Sequence, residues 1–218
     1  TDTSTLTPTD TPTPTPSQTQ GSITEGFEDG KPEEFEESAD FLEIVDRGAE
    51  DTDQSLYADH YCGVECHPDP LATYTPNILS ESPEVERIEF YWRETSDSYG
   101  GGLSLHSADT TVAGAATNNP EWRIFDPEKE GPERWRVEIS ERDGYERWVR
   151  TEFNFNWEDM VVKYTFEDQQ SGSMASRTVN LSDVDGIDEV QLRSYSDINR
   201  EDENPGIRNG SIDHWWDS

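Results

Sequence analysis

Arg147-Trp148-Val149-Arg150-Thr151-Glu152-Phe153-Asn154-Phe155-Asn156-Trp157 decides the fold class. Phe153, Phe155 and Trp157 alternate with Glu152, Asn154 and Asn156. Only an extended chain sorts such a pattern, because successive side chains of a strand point to opposite faces. A helix would turn Phe155 away from the face shared by Phe153 and Trp157. Trp135, Val137 and Ile139 alternate in the same way with Arg136, Glu138 and Ser140.

Outward from this stretch, short strand candidates recur, separated by clusters of Gly, Pro, Asp and Asn. They are 23–28, 41–46, 55–60, 87–94, 103–106, 111–116, 134–140, 147–156, 160–167, 176–181, 189–195 and 212–216. Long amphipathic helices are missing, and 32–38 offers one short turn. About twelve strands at this spacing predict an all-β domain of two packed sheets over residues 21–218. The Gly100-Gly101-Gly102 run reads as a flexible turn.

Residues 1–20, TDTSTLTPTDTPTPTPSQTQ, are of another kind. Proline at every second position through part of the tail forbids a helix and favours extended backbone. Leu6 is its only large apolar side chain. Such tracts serve as stalks or linkers. An extended Thr-rich segment can also add to the sheet edge of a neighbouring subunit. The chain begins at Thr1 rather than Met, which suggests a processed mature form or a trimmed chain.

The 218 residues carry 49 Asp+Glu against 16 Lys+Arg, a net charge of −33. Only Lys31, Lys129 and Lys163 are lysines. Like charge on this scale destabilises a compact state unless salt screens it. Seven Trp, eight Tyr and eight Phe nevertheless provide for a core, which separates the chain from acidic disordered proteins. Carboxylate excess with scarce lysine resembles the proteins of extreme halophiles, here a halophilic archaeon or its virus. Such a surface offers no cationic patch for nucleic acid. No apolar run reaches the roughly 20 residues of a membrane helix, so no membrane insertion is expected.

Gly26-Phe27-Glu28-Asp29-Gly30 resembles the opening strand of secreted jelly-roll domains, both carbohydrate-binding modules and concanavalin A-like (laminin-G-like) sandwiches. Asp53-Gln54-Ser55-Leu56-Tyr57, Arg147–Trp157 and the closing Ser211-Ile212-Asp213-His214-Trp215-Trp216 extend the likeness. The resemblance implies a two-sheet jelly roll acting outside the cell, at a cell or virion surface. It also implies adjacent first and last strands sharing a structural calcium. By position Glu28 and Asp213 would be ligands, with Asp29 or Asp217 completing the oxygen shell.

Cys62 and Cys66, four apart around a glycine, suit a small-loop disulfide of an extracellular protein. With His60 and His67 they could instead form a tetrahedral zinc site. Asn180-Leu181-Ser182 and Asn209-Gly210-Ser211 are glycosylation sequons. Trp135, Trp148 and Trp157 fall in apolar strand patterns and read as core. Trp92, Trp122, Trp215 and Trp216 are the candidates for stacking on a glycan or a partner.

A retaining glycosidase needs two carboxylates about 5–5.5 Å apart. Glu84 and Glu86 sit at a strand entrance, and Glu138, Glu141 and Asp143 have the wrong phase. No nucleophile elbow or phosphate loop is present either. The sequence therefore reads as non-catalytic. It points first to an assembly subunit of a filament, sheath or virion, self-associating through residues 1–20. The alternative is a stalked carbohydrate-binding module that recognises surface glycans.

Overall fold

The computed structural model describes residues 27, 29–37, 42–46, 48–49, 53–62, 72–94, 101–118, 121–135, 137–141, 147–194 and 210–217. Residues 1–20, Glu28, Cys66, His67 and Asn209 lie outside them, so the expectations that rest on those residues lie there too.

Among the described residues, fourteen strands build two seven-stranded sheets. The first sheet runs β1 (Phe35–Glu37), β4 (Ala72–Tyr74), β13 (Glu189–Ser194), β6 (Gly101–Ser107), β7 (Thr110–Asn118), β8 (Glu121–Ile124), β9 (Val137–Glu141). The second runs β12 (Met174–Asn180), β11 (Val161–Asp168), β10 (Val149–Asn156), β5 (Arg87–Glu94), β14 (Gly210–Asp217), β3 (Ser55–Cys62), β2 (Leu42–Val45). Every pairing is antiparallel. One short helix, α1 (Asn77–Glu81), follows β4. The fold is a two-sheet jelly-roll sandwich.

The core follows from the alternation. On β10, Val149, Thr151, Phe153 and Phe155 are buried, and on β11 so are Val162, Tyr164 and Phe166. Phe153 sits among the rings of Phe90 at 5.7 Å, Phe155 at 6.2 Å and Tyr164 at 5.1 Å. Trp122 of the first sheet stacks on Phe166 of the second at 5.2 Å, which ties the layers together. A buried hydroxyl must find partners. Tyr164 donates to the Phe125 carbonyl and accepts from the Gly114 amide, both at 3.2 Å.

The structure corrects several sequence readings. Gly101 and Gly102 open β6 instead of forming a turn. A Cβ on Gly102 would lie 2.3 Å from the Ala115 carbonyl, so glycine is what lets β7 approach. Residues 131–135 form a 3-10 turn that Pro132 favours, and β9 begins only at Val137. Trp135 consequently leaves the strand pattern and packs on Phe125 at 5.2 Å. Phe35–Glu37 pairs with β4 as a strand, where the sequence suggested a helical turn. Phe27 has φ 62° and its carbonyl accepts from the Gly30 amide, so 27–30 turns where the resemblance implied a strand. The last strand, β14, is flanked by β3 and β5, and the first described strand lies in the other sheet. The side-by-side first and last strands of the resemblance are therefore not formed by these elements.

Candidate functional site

Strands β5 and β10 each carry an Arg-x-Glu step, Arg87–Glu89 and Arg150–Glu152. Period two sends both members of each step to the outer face of the second sheet, opposite the buried Phe90 and Phe153. Antiparallel register then sets Glu89 directly across from Glu152, and Arg150 across from Tyr91 on one side and Glu167 on the other. Two carboxylates facing each other would repel. Cations on the diagonals resolve this.

Arg150 is the centre. Its Nε donates to Glu89 at 2.7 Å, Nη1 to Glu167 at 3.1 Å and Nη2 to Glu152 at 2.5 Å. Arg87 Nη2 donates to Glu152 at 2.8 Å and also pairs with Glu89. The Asn154 amide donates to the other oxygen of Glu152. All three strands thus contribute to one clasp, with the guanidinium fork engaged on every edge.

These groups are fixed as charges. Partial burial works against the Arg150 cation, but Glu89, Glu167 and Glu152 outweigh it and hold the pKa above the ordinary arginine value. Partial burial likewise opposes the Glu152 carboxylate, yet the Asn154 amide, Arg87 and Arg150 keep its pKa below the usual range. Glu152 therefore has no proton to give near neutral pH.

The clasp sits in an unusual electrostatic setting. Strands β5, β10, β11 and β12 together contain five cations (Arg87, Arg93, Arg150, Lys163, Arg177) and five carboxylates (Glu89, Glu94, Glu152, Glu167, Asp168). In a chain of net charge −33, this half-sheet is neutral. The sequence shows both Arg-x-Glu steps, but their convergence depends on a register set by chain segments some sixty residues apart. None of the clasp residues was anticipated.

The anticipated residues fare differently. Trp92 and Trp122 are each 2% exposed, which corrects their reading as surface platforms. Trp92 points inward because Tyr91 and Arg93 take the outer positions of β5, and its Nε1 donates to Thr151 Oγ1 at 2.7 Å. Trp122 is held by Phe166. On β14, Trp215 is in register with Tyr57 and Arg93, Trp216 with Leu56 and Trp92, Asp213 with Asp59, and Asp217 with Tyr91. Asp29 is exposed in the 27–30 turn. Cys62 ends β3 in register with Gly210. Asn180 is exposed at the end of β12, with its amide on Glu128, while Ser182 of the same sequon donates to the Thr111 carbonyl at 2.7 Å. Among the described residues, no three His, Cys, Asp or Glu side chains converge as a metal site. Among them, too, no helix is long and apolar enough to cross a membrane.

No family model and no curated protein matches the chain. Solved structures do. An alginate lyase, AlgAT5 of polysaccharide lyase family 7, is similar at 10% identity over 83% of this chain and 81% of its own, with a TM-score of 0.51. Lectin II from Ulex europaeus is similar at 8% identity over 84% and 95%, with a TM-score of 0.46. Galectin LEC-6 from Caenorhabditis elegans is similar at 10% identity over 73% and 94%, with a TM-score of 0.40. At such identities the likeness to the lyase is one of fold: a jelly-roll sandwich with its strands in corresponding places.

Proposed function

We propose that this chain is a non-catalytic, extracellular carbohydrate-binding module that reads a glycan on the outer face of β5, β10 and β11. The observation that carries this reading is the Arg150 clasp, which holds carboxylate oxygens at fixed spacing on rigid strands within a neutral island. Sugars present hydroxyls that both donate and accept. Carboxylates and side-chain amides held at fixed spacing can meet them without an ordering cost at the moment of binding. The fold neighbour with the higher TM-score acts on a polysaccharide by its name, alginate lyase, which agrees with a sugar ligand. A Glu152 pKa held below and an Arg150 pKa held above their ordinary values suit binding better than acid–base catalysis near neutral pH.

The test is binding to a panel of immobilised polysaccharides in molar salt, comparing the native chain with Arg150→Ala and Glu152→Ala. Retention of a glycan by the native chain, weakened at least tenfold in both variants, supports the reading. Capture that both variants retain in full, or no capture by any, overturns it.

A further inference from the structure

The second sheet ends at β12, which pairs with β11 on one side; among the described residues no strand takes its other edge. Open edges invite another strand, and proteins usually guard them with charge. Here the guard is a single cation. Residues 169–182 contain no Asp or Glu, the longest such run in 21–218, and Arg177 is the one charged side chain on β12. Met174 on this strand is 63% exposed, the sole exposed large hydrophobic among the described residues. In a chain of net charge −33, an acid-free edge is where a second copy can approach without strong repulsion.

The geometry points to residues 1–7 of a second copy as the strand that pairs with β12. Thr1-Asp2-Thr3-Ser4-Thr5-Leu6-Thr7, up to Pro8, has at every position the amide donor a ladder needs, enough to cover β12 from Met174 to Asn180. Residues 1–20 contain acids at Asp2 and Asp10 and no cation, complementing Arg177. In the centred antiparallel register, Thr1 meets Asn180 and Thr7 meets Met174. Asp2, Ser4 and Leu6 then share the face of Val179, Arg177 and Ala175, with Asp2 diagonal to Arg177.

Placement in the fold selects the neighbour over the chain's own edge. Phe27 packs on Phe35 of β1 at 6.3 Å, and Lys31 donates to the Leu42 carbonyl of β2 at 2.6 Å. The chain therefore enters the sandwich at its β1/β2 edge. β12 packs beside β9 at the opposite edge, six strand spacings or about 29 Å away. Reaching its own β12 would require residues 8–26 to stretch across a whole sheet, a loop-closure cost that a neighbour beside the point of entry avoids. A neighbour placed edge to edge presents β12 beside the point of entry. The contact is head-to-tail and leaves a tail free at one end of the assembly and a β12 edge free at the other, so it repeats from copy to copy, in an open filament unless the rotation closes a ring. It does not depend on glycan binding.

The experiment measures sedimentation and light scattering in molar salt for the full chain, for Arg177→Glu and Ser176→Asp in the full chain, and for the chain without residues 1–20. The described core begins at Phe27, so the truncated domain retains it. The full chain should form concentration-dependent oligomers that truncation abolishes. A synthetic peptide of residues 1–11 should bind the truncated domain one to one, about tenfold more weakly after Arg177→Glu. Assembly of the truncated domain, or a peptide indifferent to both β12 substitutions, overturns the inference. So does a full chain that stays monomeric while its β12 amides lose exchange protection on truncation, since the chain's own tail would then occupy the edge.

Discussion

Trp92 Nε1 and Thr151 Oγ1 meet at 2.7 Å between β5 and β10, inside the apolar core. Thr151 is fully buried, and its hydroxyl gives this indole N–H its partner away from water. Thr151→Val keeps the shape and removes the acceptor. It should cost about 1–3 kcal/mol, the usual penalty for a buried donor left unsatisfied, measured by chemical denaturation. Thr151→Ser should retain most of the stability. A valine variant as stable as the native chain would show that the bond contributes nothing.

Gly102→Ala places a methyl against backbone on β7. The new Cβ would stand 2.3 Å from the Ala115 carbonyl oxygen and 2.8 Å from the Ala116 Cβ. Backbone cannot swing aside as a side-chain tip can, so β6 and β7 must separate. A loss of at least about 1–3 kcal/mol is expected from thermal or chemical unfolding. An unchanged melting temperature would mean that the two strands yield freely.

Asp168 closes the β11–β12 hairpin. It accepts from the amides of Gln170 at 2.8 Å and Ser171 at 2.7 Å and from Arg147 at 3.1 Å. Burial pushes its pKa up, but the Ser171 amide, Arg147 and the Gln170 amide outweigh it and hold the carboxyl below the usual aspartate value. A depressed folded-state pKa stabilises above the unfolded value, and that contribution is lost as pH falls through the folded one. Stability should therefore drop below about pH 4. Asp168→Asn should flatten that part of a pH–stability profile, and an identical profile in the variant would assign the acid sensitivity elsewhere.

Carboxylates outnumber cations 49 to 16. Raising NaCl from about 0.1 M to 2 M shortens the screening length from about 10 Å to under 3 Å. The melting temperature should climb by roughly 10 °C or more as self-repulsion fades. A flat response, read by circular dichroism, would mean that the surface is already neutralised by another route.

Long alternating stretches were legible because their periodicity is local. The strand of residues 87–94 emerged with the same bounds, and Phe153 fell on the buried face as its spacing demands. Short elements were not. Phe35–Glu37, Ala72–Tyr74 and Glu121–Ile124 are too brief to show a period; longer neighbours supply the ladders of the last two, and Phe35–Glu37 pairs in turn with Ala72–Tyr74. Trp92 and Trp122 misled for a related reason: which face of a strand is buried depends on the partner sheet, not on residue type. The Arg150 clasp was hidden because register joins β5, β10 and β11, and no local pattern encodes register.

The central position of β14 has a consequence for biogenesis. It is last in chain order, yet it joins β3 to β5 in the middle of its sheet, bridging segments made more than a hundred residues earlier. Until it is synthesised, β2 and β3 lack the neighbour that links them to the rest of their sheet. The nascent chain must remain open until then, with slow, non-local closure as its final step. The architecture thus withholds the native pairing of the second sheet until β14 arrives.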